Sequence, residues 1–386
     1  MRNAATPSLS VVIPVHNRAG CVRAAVESAL AQDVADIEVV CVDDASTDDS
    51  AAVLAGCAAR DPRVRVVTLP KNGGTGVSRK TGILAARGEY LLCLDADDLL
   101  LPGVCGRLLA TVRRRGLDVM QFRCRAVPLG STRPAFARFF QRLLDFHLPS
   151  RPRGSWRLLR DQARAVAKTH WVMWNKIYRT APLQAAARLQ EDGWMVAGED
   201  MLLTVILQSA LPSWGSTRLR CYEYRCGEGS IRDGDMTPEI FDWKLNRADC
   251  CRALKRYVDA ASERFVPGLY GEDGDARFLA APRNVRRCVK ELNRLCTRLV
   301  FDRMEVTWRQ IPRDAPADVL EVYHRKFHDA WGPELCQRFV SRGVSLLHAQ
   351  ESPTFRLGAL LLSPATVALA WLRRLRACAI RRTAHG

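Results

Sequence analysis

Glu89-Tyr-Leu-Leu-Cys-Leu-Asp-Ala-Asp-Asp98 passes within one step from an apolar run to a cluster of carboxylates. An apolar run without polar alternation is the pattern of a strand buried on both faces, as in parallel sheets. Working outward, three earlier runs end the same way. Leu9-Ser-Val-Val-Ile13 is stopped by Pro14 and followed by His16-Asn17, Ile37-Glu-Val-Val-Cys-Val42 runs into Asp43-Asp44, and Val64-Arg-Val-Val-Thr-Leu69 leads to Lys71-Asn-Gly-Gly-Thr-Gly76. Helical spacing fills the gaps: Val22, Val26, Ala29 and Leu30 within 20–32, a second helix capped from Ser46-Thr-Asp-Asp-Ser50 and running through Ala59, and a third over 77–86. Pro102 is placed to open a further helix, and Asp118-Val-Met-Gln-Phe122 reads as a fifth strand. This alternation predicts an α/β fold with a mainly parallel sheet flanked by helices. Ligands of such sheets bind beyond the carboxyl ends of the strands, and all four polar clusters fall there.

Asp95 and Asp97 lie two apart after a strand, so on an extended segment they face the same way and suit one hard cation. Two carboxylates with open coordination fit Mg²⁺ or Mn²⁺ shared with substrate phosphates; the competing reading is an acidic turn before Pro102. Asp43-Asp44 offers acceptors to a base imide or a ribose, or else caps the following helix. Around Gly74, the dinucleotide fingerprint and the phosphate-loop ATPase motif both fail at Arg79, which stands where each needs glycine. Two readings survive there: a helix N-terminus facing a phosphate-bearing ligand with Arg79 or Lys80 nearby, or a purely structural turn. Glu199-Asp200, before Met201-Leu-Leu-Thr-Val-Ile, reads on its own as an acidic helix start.

The chain of 386 residues carries 58 Lys+Arg against 41 Asp+Glu, a formal net charge of +17, and the excess lies after residue 100. Such a basic remainder suits nucleic acid, anionic lipid or a phosphorylated ligand, but no recognition helix, zinc finger or aromatic-basic sheet motif is present, so nucleic acid is not expected. Fourteen cysteines without a Cys-x-x-Cys pair or a visible leader read as reduced thiols in the cytoplasm. Two parts are expected: a catalytic domain over 1–237 and a helical, basic C-terminal region over 238–386, where Trp243, Ala248, Cys251, Leu254 and Val258 recur at helical spacing. Residues 357–372 are uncharged and precede Arg373-Arg-Leu-Arg376 and Arg381-Arg382, too short a stretch to span a bilayer. It reads as a buried hairpin or as an interfacial segment drawn to an anionic membrane surface.

Ser10-Val-Val-Ile-Pro-Val-His-Asn17, Val42-Asp-Asp-Ala-Ser-Thr-Asp48, Asn72-Gly-Gly-Thr-Gly-Val-Ser-Arg79 and Gly88 to Asp98 resemble, in order and spacing, the motifs of family-2 glycosyltransferases. Trp174-Asn-Lys-Ile-Tyr178, Gly198-Glu-Asp200 and Tyr222-Glu-Tyr-Arg225 are similar to its bacterial cell-surface polysaccharide members. The resemblance implies a GT-A fold and inverting transfer from a nucleotide-sugar donor, UDP-linked, to a hydroxyl of a glycan or lipid-linked acceptor. It also implies roles. Pro14, His16 and Asn17 would line the nucleotide pocket, with His16 in place of the commoner Tyr or Phe. Asp44, with Asp43 beside it, would contact the uracil or ribose, and Arg79 would lie near the nucleotide. Asp95 would face the ribose and the metal, Asp97 would ligate the metal, and Asp200, or Glu199 beside it, would be the catalytic base. The Gln-x-x-Arg-Trp motif of processive synthases is absent, which implies addition of a single sugar. The alternative is a non-catalytic protein that keeps the nucleotide-sugar pocket.

Overall fold

A computed structural model of the chain describes residues 6–130, 138, 141, 171–193, 198–210, 213–226, 238–263, 282–308 and 317–344. The alternation expected from the sequence is present: β1 (Leu9–Val15), α1 (Val22–Leu30), β2 (Ile37–Asp43), α2 (Ser50–Arg60), β3 (Val64–Thr68), α3 (Gly74–Ala85) and β4 (Tyr90–Cys93). β1 pairs in parallel with β2 and β4, and β2 with β3. All seven residues of β2 and all four of β4 are buried, which is why both are mostly apolar, Glu38 and Asp43 being the buried exceptions in β2. Truncating one such side chain, Leu92 for instance, to Ala would cost about 2–5 kcal/mol.

The second half of the sheet departs from the parallel pattern. β5 (Leu99–Leu100), α4 (Cys105–Arg114), β6 (Val119–Pro128), β7 (Lys176–Arg179), α5 (Thr180–Leu189), α6 (Glu199–Ala210) and β8 (Trp214–Cys226) follow. The eight strands run in the order β3-β2-β1-β4-β7-β6-β8-β5. β7 is antiparallel to both β4 and β6, β8 is parallel to β6, and β5 is antiparallel to β8. The sheet is therefore mixed, parallel around β1 and broken by β7. Pro102 does not open α4 as the sequence suggested; a two-residue strand precedes it and the helix starts at Cys105.

α3 lies hard against the sheet. A Cβ at Gly82 would stand 2.3 Å from Val12 Cγ1, so only glycine lets the helix sit this close. The contact holds α3 against β1 and β2 three residues from Arg79.

The chain divides into two compact units, Met1–Gly234 with Asp249–Leu299, and Asp235–Ala248 with Val300–Gly386. Two long helices, α7 (Pro238–Glu263) and α8 (Pro282–Trp308), contribute to both, and α9 (Ala317–Trp331) and α10 (Pro333–Val344) belong to the second. Within the second unit Phe241 meets Tyr323 edge-on at 4.9 Å. Gly332, at φ 79°, closes α9 by donating its N–H to His328 O at 2.8 Å, and Pro333 opens α10 where no N–H is needed. Among the described residues no helix is long and apolar enough to cross a membrane. Residues 357–386, with their arginines, lie outside the described residues.

Candidate active site

The loops beyond β1, β2 and β3 are bonded to one another. Asn17, at φ 52°, accepts at Oδ1 from Thr47 N at 2.8 Å, and its own N–H donates to Ser46 Oγ at 3.1 Å. Ala19 N–H donates to Asp48 Oδ2 at 3.1 Å and Arg18 N–H to Ser50 Oγ at 2.7 Å. Ala45 is held at φ 51°, a left-handed conformation that an L side chain resists. Backbone strain of this kind is retained where surrounding bonds over-determine it.

His16 has both ring nitrogens engaged. Nδ1 meets Asp44 O at 2.9 Å, and Nε2 meets Asn72 Nδ2 at 3.1 Å. Asn72 Oδ1 is already the acceptor of Gly74 N–H at 2.9 Å, so its amide nitrogen must face the ring. His16 therefore carries its proton on Nδ1, donates to Asp44 O and accepts at Nε2. Asp44 is 2% exposed and accepts Gly73 N–H at Oδ1 at 2.7 Å, while Asp43 Oδ1 accepts Ser46 N–H at 3.2 Å. Pro14 lies half-buried within β1. Gly73 and Gly74 spend their N–H groups on Asp44 and Asn72, and Lys80 Nζ donates to Gln190 O and Asp192, each at 2.6 Å.

Arg79 is 3% exposed and joins three carboxylates. Nη1 donates to Asp200 Oδ1 at 2.6 Å and Glu199 Oε1 at 3.0 Å, and Nη2 to Asp95 Oδ1 at 3.1 Å. Burial works against its charge, but the charges of Asp200, Asp95 and Glu199 outweigh that and raise its pKa well above the usual range. Burial pushes Asp95 up to about 6, Arg79 opposing and Asp97 and Asp200 adding. Burial likewise pushes Glu199 up to about 7, with Asp200 adding and Arg79 opposing. Asp200 accepts a further bond at Oδ2, from Met173 N–H at 3.3 Å.

β4 ends at Cys93, so Asp95 and Asp97 follow the strand on a turn instead of an extended segment, Asp95 meeting Arg79 and Asp97 meeting Arg18. Asp97 is half-buried, its side chain 44% exposed, and meets Arg18 Nε at 3.6 Å. The sequence reading passed over Asp98, which is 1% exposed and accepts from Tyr222 OH and Arg225 N–H, both at 2.7 Å. Burial holds it well above the usual carboxylate range, Asp95 and Asp97 adding. Tyr222 in turn accepts Asp95 N–H at 3.1 Å, which ties the turn to β8. A tyrosine and arginine at 222–225 were legible as a motif, but not as the partners of Asp98.

Among the described residues no group of three or more His, Cys, Asp or Glu side chains forms a metal cage. Asp95 Oδ2 takes no hydrogen bond from the described residues, and Asp97 is partly open to solvent. Two hard oxygen donors with free positions fit a Mg²⁺ or Mn²⁺ ion that completes its shell with phosphate and water. A cavity of about 300 Å³ lies elsewhere, lined by Leu189, Leu202, Ile206, Ala253 and Tyr257, and holds none of these carboxylates.

Compared with known proteins, residues 10–182 match Glycosyl transferase family 2. This is a family-2 glycosyltransferase domain. Glu199 and Asp200 lie beyond the matched span of the family-2 domain and reach it through Arg79. Succinoglycan biosynthesis protein ExoO of Rhizobium meliloti is 40% identical over 113 residues, 29% of this chain and 32% of that protein. The uncharacterized glycosyltransferase EpsJ of Bacillus subtilis is 34% identical over 114 residues, 30% of this chain and 33% of that protein. The chain thus spans about a third of the length of these curated relatives. The crystal structure of S. aureus TarS 1–349 is similar at a TM-score of 0.54 and 18% identity, covering 92% of this chain and 90% of that one. The family-2 domain therefore has the expected α/β, GT-A-type fold.

Proposed function

We propose that the chain is a metal-dependent, inverting glycosyltransferase that moves one sugar from a UDP-sugar to a hydroxyl of a surface-glycan or lipid-linked acceptor. One observation carries the reading: Arg79 brings the base candidates Glu199 and Asp200 onto the same guanidinium as the donor-side carboxylate Asp95. A family-2 domain supports glycosyl transfer, and the crystallisation of TarS with UDP-GlcNAc supports the choice of donor class.

Asp95 and Asp97 would hold Mg²⁺ or Mn²⁺ against the donor diphosphate, and the ion supplies offsetting charge as the diphosphate leaves. The laced loops carrying Pro14, His16, Asn17, Asp43 and Asp44 present a pre-formed edge to the nucleotide. Asp200 removes the acceptor hydroxyl's proton as that oxygen bonds the anomeric carbon; the carbon–oxygen bond to the diphosphate breaks on the opposite face, and its electron pair leaves with the phosphate. Two donors fix Asp200, and each of its oxygens keeps a lone pair for the proton. Glu199 is the second reading, favoured by a pKa of about 7, near the value that suits a base at neutral pH.

Hydrolysis of a panel of nucleotide sugars with Mn²⁺, followed as nucleotide release, tests the proposal without knowledge of the acceptor. One UDP-sugar should turn over slowly. Asp200→Asn should lower that rate by about 10²–10⁴ while UDP still binds. Near-normal turnover in Asp200→Asn with loss in Glu199→Gln would move the role to Glu199, and no turnover of any donor would favour a non-catalytic binding protein. A cytoplasmic location, at the inner membrane face, belongs to the same proposal.

A further inference from the structure

We propose that the turn formed by residues 171–175 is a positioning device for Asp200, with Lys176 and Tyr178 as its anchors; this rests on the assignment of Asp200 as base. The turn leads into β7 and lies in the core: Met173, Asn175, Lys176, Tyr178 and Thr204 are each at most 1% exposed. Polar backbone so deeply buried must find partners. Four of its carbonyls are bonded to other parts of the fold. Thr204 Oγ1 of α6 donates to Trp171 O at 2.9 Å, Lys176 Nζ to Val172 O at 2.5 Å, Tyr178 OH to Met173 O at 3.0 Å, and Phe122 N–H of β6 to Asn175 O at 3.0 Å. With its carbonyls so held, the turn directs Met173 N–H to Asp200 Oδ2.

Lys176 and Tyr178 are two apart on a strand, so their side chains share a face. That face sends both donors back to the turn. Lys176 makes no ion pair among the described residues; its second bond is to Asn175 Oδ1 at 2.7 Å. An ammonium buried without a counter-ion is a costly placement, one that a packed Leu or Met would avoid. Burial accordingly pushes Lys176 down to about 7, the Asp200 charge opposing. Cys124 of β6, Cys93 of β4 and Asp200 of α6 are the titratable groups that act on it. The cost is explained if the lysine fixes the turn and sets a positive charge behind the base.

The test uses the full chain and the UDP-sugar hydrolysed fastest with Mn²⁺. Lys176→Met and Tyr178→Phe should each speed amide deuterium exchange across 171–175. Each should lower kcat by about 10- to 100-fold, the cost of misplacing a reacting group by around 1 Å, with UDP affinity within about twofold of normal. The KM for the donor should stay within about twofold of normal while kcat falls, a split that a merely structural loss would not give. Neither variant should lower kcat further in an Asp200→Asn background. Tyr178→Phe, which removes one oxygen, decides the matter if Lys176→Met does not fold. Unchanged kcat in the variants that fold, or a full further loss in the Asp200→Asn background, overturns the proposal. Failure of the base assignment shows separately, as near-normal kcat in Asp200→Asn alone, and the positioning role falls with it.

Discussion

Replacing Arg79 by Met removes a charge and three hydrogen bonds from a buried site while nearly preserving side-chain length. Asp95, Glu199 and Asp200 then remain together without a counter-ion, at side-chain exposures of 28%, 11% and 19%. Removing one partner of a buried ion pair costs about 3–5 kcal/mol. The loss should depend on pH. Asp95 and Glu199 already titrate above their ordinary values of 3.8 and 4.5, at about 6 and about 7. For a carboxyl raised in the folded state the protonated form is favoured by folding, so its contribution is present below the unfolded pKa and lost as pH rises to the folded one. The window therefore runs from about pH 4 to pH 7. Without Arg79 the folded values climb further, so the decline becomes steeper and reaches higher pH. At about 2–4 °C per kcal/mol for a large domain, Arg79→Met should melt on the order of 10 °C below the parent at pH 8, and much closer to it at pH 5. Thermal unfolding followed by circular dichroism at both values measures the gap. An equal deficit at pH 5 and pH 8 would refute the view that Arg79 serves chiefly to neutralise these carboxylates.

Asp97→Ala should weaken Mn²⁺-supported UDP binding by at least about tenfold in calorimetry while leaving metal-free binding unchanged; equal affinities with Mn²⁺ present would remove Asp97 from the ion. Ala45→Gly relieves the left-handed backbone beside Asp44 and should stabilise the chain by about 0.4–1 kcal/mol, read as a higher denaturant midpoint at constant slope. The full chain should co-sediment with anionic vesicles more than with neutral ones, be released by high salt, and bind less after deletion of residues 357–386 with donor hydrolysis kept. An insoluble truncated chain would instead make that segment part of the core.

The parallel half of the fold was legible because burial on both faces leaves its mark residue by residue: β1, β2 and β4 are mostly apolar runs, and each stops at polar residues that the structure places along one edge. β5 is two residues long and carries no period. β7 and β8 owe their place in the sheet to pairing partners far along the chain, which no local pattern records. The same holds for the site. Asp95 and Asp200 could be picked out from strand ends and motif likeness, but the role of Arg79 depends on a contact spanning 121 residues. A buried arginine beside glycines looks, locally, like a phosphate-binding turn. Asp98 and Lys176 are hard to read locally for a related reason: the first sits in a run of acids, the second inside a motif that shows likeness but no role, and only burial reveals what each is bonded to.

The position of β7 also bears on how the chain emerges from the ribosome. β1 to β4 are complete by Cys93, but the free side of β4 gains its antiparallel partner only when Lys176–Arg179 has been made. At about 5–20 residues per second, that leaves an open strand edge of Tyr-Leu-Leu-Cys for roughly 4–17 s. Such an edge invites pairing with neighbouring nascent chains. The burden on chaperones should therefore fall within this interval, and expression at lower temperature or with chaperone supply should raise the soluble yield of the whole chain.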